Sequence, residues 1–104
     1  MKDPQIAVEV KKILDLIKRI SPGKSVELRI PPYCAIQCVE GISHKRGTPP
    51  NIVEMSASVL IQLSSNSKIW EELVASGQIS ASGVNSDLSL VFSQLSTQYP
   101  VFEP

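Results

Sequence analysis

Hydrophobic and polar positions change period four times along this chain, and each change marks an element. Ile6, Val10, Ile13, Leu14, Ile17 and Ile20 recur at three- and four-residue spacing, while Lys11, Lys12, Lys18 and Arg19 fall on other faces. That pattern predicts an amphipathic helix over 3–21, capped by Asp3 with Pro4 at its first position. Its late cations suit the helix dipole, and Ser21-Pro22-Gly23 stops it. Val26-Glu27-Leu28-Arg29-Ile30 then alternates as a strand with one wet face. Pro31-Pro32 turns the chain into a second strand, 33 to about 40, which is apolar on both faces and so expected at the sheet centre.

A polar loop over 41–50 leads to a third strand, Asn51 to Met55. Ser56 can cap a helix carrying Val59, Leu60 and Leu63, which the Ser64-Ser65-Asn66-Ser67 cluster breaks. Ser67 can cap a second short helix with Ile69, Trp70, Leu73 and Val74 inward, closed by Gly77 in the left-handed position. Residues 78–83 alternate again as a lightly apolar strand. Leu88, Val91, Phe92 and Leu95 form one face of a last helix, with Asn85, Ser86 and Asp87 available as caps. The tail, 97–104, is expected to be loose. Helix, three strands, two helices, strand and helix make an α+β fold: a mostly antiparallel four- to five-stranded sheet covered by helices. The 104 residues form one domain whose core spans 26–95.

Hydrophobic residues make up 42% and charged residues 19% of the chain, which is globular rather than disordered composition. Ten basic and ten acidic residues cancel, leaving no electrostatic footprint for nucleic acid. No apolar run reaches the ~18 residues of a membrane span, so stable membrane insertion is not expected. Met1-Lys2-Asp3-Pro4 lacks the order of a signal peptide, and cytoplasm is the expected location. Cys34 and Cys38 lie four apart in one strand, about 13 Å between Cα atoms, too far for a disulfide, which needs under about 7 Å. Both are expected as buried apolar thiols.

Catalysis needs a base set against a nucleophile, and this chain has one histidine, His44. Nothing in the spacing brings it to Cys34 or Cys38, and the three do not make paired zinc ligands. Neither glycine-rich phosphate motif occurs, so no catalytic residue, metal or cofactor is expected. The loop His44-Lys45-Arg46-Gly47-Thr48-Pro49-Pro50-Asn51 is the most distinctive polar feature. His44, Arg46 and Asn51 are candidates for an anionic head group, Arg46 by a two-pronged hydrogen bond. Alternatively, Arg46 pairs with Glu40 or Glu54 and the loop is simply rigid.

Two segments carry a family resemblance. One runs Pro31-Pro32-Tyr33-Cys34-Ala35-Ile36-Gln37-Cys38-Val39-Glu40-Gly41, then His44 and Arg46-Gly47-Thr48-Pro49-Pro50-Asn51-Ile52-Val53-Glu54. The other runs Trp70-Glu71-Glu72-Leu73-Val74-Ala75-Ser76-Gly77-Gln78-Ile79-Ser80-Ala81-Ser82-Gly83, then Asp87-Leu88. Together, over about 26–95, they resemble the sterol-carrier-protein superfamily, in particular its small bacterial members. The resemblance implies a five-stranded sheet under helices, an apolar tunnel between them, and binding or transfer of a fatty-acyl or sterol-like lipid without chemistry. The candidates for such a ligand are Leu60, Leu63, Trp70, Leu73, Leu88, Val91, Phe92 and Leu95, a stripe that serves equally as core. One rival is a protein-interaction or homodimerisation module that kept the fold without the tunnel and uses Trp70 as a hot spot. The other is a small enzyme or accessory subunit using His44 and Arg46.

Overall fold

The computed structural model describes residues 2–41 and 51–98. Helix α1 (Pro4–Ile20) begins where Asp3 accepts hydrogen bonds from the backbone N–H groups of Gln5 (2.8 Å) and Ile6 (3.3 Å), as its position before Pro4 predicts. It buries Val10, Ile13, Leu14, Leu16 and Ile17. Ile6 lies exposed in the first turn and Ile20 is only half-buried, so the buried stripe is shorter than the sequence stripe and gains Leu16.

Strands β1 (Val26–Ile30), β2 (Cys34–Cys38), β3 (Asn51–Met55) and β4 (Ile79–Ser82) form one sheet in the order β2-β1-β3-β4. β1 pairs antiparallel with β2 and parallel with β3, and β3 pairs antiparallel with β4. The predicted α+β class holds, with four strands among the described residues and one parallel pair within a mostly antiparallel sheet. The β1–β2 hairpin closes over Pro31-Pro32, joined by a cis peptide, with Tyr33 N–H donating to Ile30 C=O at 2.7 Å.

The prediction that the second strand sits centrally is wrong: β2 is an edge, with Cys34, Ala35 and Gln37 exposed. Apolarity on both faces marks a centre only when both faces are covered. Here the helices cover one face, so the central strands alternate. Val26, Leu28, Ile30, Val53, Met55 and Ile79 are buried, while Glu54, Ser80 and Ser82 are exposed. The same geometry corrects the thiols: Cys38 is buried and Cys34 is exposed at the strand's open end. Both are free, as their spacing requires.

Helices α2 (Ala57–Ser65) and α4 (Ser89–Ser96) pack on each other and on α1, giving a single helical layer. Ser56 caps α2 by accepting from Val59 N–H at 3.2 Å. A 3₁₀ turn, Ser67–Ile69, leads into α3 (Trp70–Ala75), and Asn66 rather than Ser67 caps it, accepting from Lys68 N–H at 3.3 Å. Val74 points outward, contrary to the sequence reading, because six residues of helix reach inward only through Trp70 and Leu73. Asp87 accepts from Ser89 N–H at 2.8 Å at the start of α4.

At one end of the sheet the α1–β1 connection folds over the end of β2. Val39, a β-branched residue at φ 68°, is held there despite a strain of roughly 1–3 kcal/mol. Its N–H donates to Ser21 C=O (2.7 Å), and its carbonyl accepts from Ser25 N–H (3.1 Å) and the Ser25 hydroxyl (2.8 Å). Gly23 (φ 150°) lies so close that a methyl group would overlap the Val39 carbonyl and Glu40 nitrogen, all immovable backbone. Gly77 (φ 82°) faces open space. Gly77→Ala is therefore expected to cost about 1 kcal/mol of backbone strain, whereas Gly23→Ala costs ~3 kcal/mol or more. Urea unfolding of the two variants checks this ordering; equal losses would mean that the Gly23–Val39 approach is not as close as described.

Candidate functional site

The eight apolar candidates come together. Leu60 and Leu63 descend from α2, Trp70 and Leu73 from α3, Val91, Phe92 and Leu95 from α4, and Leu88 from the turn before it. All eight belong to one buried cluster that continues into the sheet through Val53, Met55 and Ile79. Trp70 and Phe92 stack at its centre, ring centroids 6.0 Å apart and planes 28° from parallel, an offset geometry favourable beyond simple area burial. With 4% of its surface exposed, Trp70 is not an external hot spot.

The cluster is dry. Among the described residues, every buried side-chain nitrogen and oxygen has a hydrogen-bond partner, so nothing inside awaits a ligand's polar atom. Helix α3 contributes only Trp70 and Leu73 to the core and has no side-chain cap at its own first residue.

Of the head-group candidates, His44 and Arg46 lie outside the described residues, as does any pairing of Arg46. Asn51 is described, buried and fully engaged. Its amide nitrogen donates to Ser25 C=O (2.8 Å) and its amide oxygen accepts from Asn85 N–H (2.9 Å). The side chain thus ties the starts of β1 and β3 to the β4–α4 connection. The exchange of a hydrogen bond between Asn51 and Asn85 has no sequence signal at a separation of 34 residues.

Among the described residues, two surface clefts are lined by none of the eight candidates, although Met55 of the buried cluster borders the second. One, of about 430 Å³, runs between the end of α1, the α1–β1 connection and β2, bordered by Lys18, Gly23, Lys24 and Ile36. The other, of about 290 Å³, lies where β3 and β4 meet Pro31, Ser56 and Gly77. Among the described residues no group of three or more His, Cys, Asp or Glu side chains could hold a metal ion. No described helix is long and apolar enough to cross a membrane.

The sequence model of the family described as bacterial SCP ortholog matches residues 2–93, so the chain belongs to that family, as its motifs suggest. Among solved structures, the chain is similar in fold to the UbiJ-SCP2 ubiquinone synthesis protein. The two share 14% identity over 93% of this chain and 94% of that one, with a TM-score of 0.54. No curated protein matches the chain in sequence.

Burial pushes the Cys38 thiol from its ordinary 9.0 up to about 11. Between those values the unfolded chain sheds a proton that the folded chain keeps. Cys38 thus favours the fold fully below pH 9, and that contribution disappears as pH rises toward 11, a loss of roughly 2–3 kcal/mol. Urea midpoints from pH 8 to 10.5 should fall less steeply in Cys38→Ala than in the parent chain. Parallel slopes would show that other groups carry the alkaline loss.

Proposed function

We propose that this member of the bacterial SCP family binds or transfers an apolar ligand, fatty-acyl or sterol-like, without catalysing a reaction. The observation that carries the reading is the match to the bacterial SCP family, and the apolar cluster around Trp70 and Phe92 supports it. The cluster lies between the sheet and the helical layer, and its members come from several elements. The ligand's hydrocarbon takes the place of Trp70 and Leu73 as α3 swings outward, and Leu60, Leu63, Leu88, Val91, Phe92 and Leu95 line the space. Burial of ligand hydrocarbon is worth about 0.8 kcal/mol per methylene, enough for a chain of ten or more carbons to offset exposure of one indole and one leucine. The ligand's polar end stays at the rim, since the interior has no unpaired donor to receive it. His44 and Arg46 are proposed as the residues that meet an anionic head group there.

Trp70, the sole tryptophan, supplies the readout. Titration with cis-parinaric acid, whose polyene chain absorbs indole emission, should quench Trp70 saturably, and unlabelled palmitate should reverse the quenching. Leu63→Phe enlarges a cluster side chain, keeps Trp70 as the sole tryptophan, and should weaken binding about tenfold or more while the fold survives by circular dichroism. Absence of saturable quenching, or undiminished binding by the enlarged variant, would remove the cluster as the site.

A further inference from the structure

Among the described residues, no strand pairs with the outer edge of β2, and that edge lacks the usual protection. Natural edges are blunted by lysine, proline or a bulge, yet Cys34-Ala35-Ile36-Gln37-Cys38 contains no charge and no proline. The hairpin register pairs Glu27 with Gln37 and Arg29 with Ala35. Continuing the Ser25–Val39 hydrogen bond along that register turns the N–H and C=O groups of Ala35 and Gln37 toward β1. Those of Cys34 and Ile36 therefore face away from the sheet, and among the described residues no hydrogen bond reaches them. Beside this edge lies the 430 Å³ cleft, where Lys18 from the last turn of α1 and Lys24 from the α1–β1 connection flank the half-buried Ile36. Neither lysine has an ion-pair partner among the described residues.

We propose that the β2 edge and this cleft form a docking site for an extended acidic segment of another protein, which adds to the sheet as a further strand. Main-chain hydrogen bonds to Cys34 and Ile36 hold the segment, as in strand addition generally, and the side chains supply selectivity. An added strand turns every second side chain toward the helix side, so carboxylates at alternate positions meet Lys18 and Lys24. The charges also decide against a second copy of this chain. Antiparallel pairing of two β2 edges would set four lysines around one seam, whereas an acidic strand neutralises two. This site is separate from the apolar cluster and does not depend on lipid binding there.

The test is fluorescence anisotropy of the full chain with a fluorescein-labelled Glu-Val-Glu-Val-Glu-Val-Glu peptide in low salt. Saturable binding is expected below about 1 mM, with the Lys-Val counterpart failing to bind. Lys18→Glu with Lys24→Glu should weaken binding about tenfold or more. Methylation of alternate peptide nitrogens, on the edge that faces β2, should abolish it. Ile36→Pro removes only an outward N–H and should do likewise; should that variant unfold, the methylated peptide carries the same test. The proposal is overturned by absence of saturable binding, by equal binding of the methylated peptide or of unpatterned polyglutamate, or by a concentration-dependent dimer in sedimentation that the peptide does not dissociate.

Discussion

A sheet covered on one face buries its large apolar side chains on that side, and here only Ile52 of the strands' large apolar residues lies on the open face. In this chain the constraint decides the core, the helices and the surface together. Val26, Leu28 and Ile30 of β1, Val53 and Met55 of β3, and Ile79 of β4 form one continuous apolar floor. Their neighbours along the strands, among them Glu27 and Arg29, which pair at 2.9 Å, turn to water. Four helices must then supply a ceiling. Their apolar faces meet the floor in a single slab, with Trp70 and Phe92 stacked within it.

The slab needs its ends fastened, and polar groups do this at the end where β1 and β3 begin. Asn51 joins Ser25 to Asn85, Ser25 holds the strained Val39, and Gly23 lets the chain pass close above. A buried amide left unpaired would cost about 1–3 kcal/mol, so each partner in this network depends on the others. Apart from Ser64 and Ser86, the buried polar residues among those described, Ser25 and Asn51, belong to this margin. The sheet's open side and edge remain available to other contacts.

Elements whose hydrophobic period is unmixed were readable from sequence. Asp3-Pro4 fixes the start of α1, Ser56 the start of α2, and Gly77 the end of α3, because each acts through hydrogen bonds or dihedral angles within a few residues. The eight apolar candidates were readable for the same reason, since helical spacing alone places them on one face. Strand order was not. Whether Cys34-Ala35-Ile36-Gln37-Cys38 lies at the centre or the edge depends on which strands pair with it, and a two-residue period reports faces rather than neighbours. Asn51 misled for a related reason: a polar residue beside a loop reads as a ligand contact, while its partners, Ser25 and Asn85, are distant in sequence. The lysine cleft was equally hidden, since Lys18 and Lys24 meet Ile36 only after the hairpin has formed.

The proposed lipid binding draws on membership of the bacterial SCP family and on the apolar slab between sheet and helices. The central claim is thus positional: an acyl chain lies against Phe92 in the space that Trp70 otherwise fills. Isotope-filtered nuclear Overhauser spectroscopy, with ¹³C-labelled protein and unlabelled palmitate, reads that position directly. The account predicts contacts from the acyl methylenes to the rings of Phe92 and Trp70 and to the methyls of Leu63 and Leu95. Contacts confined to surface residues, with the Trp70–Phe92 stack undisturbed, would contradict it.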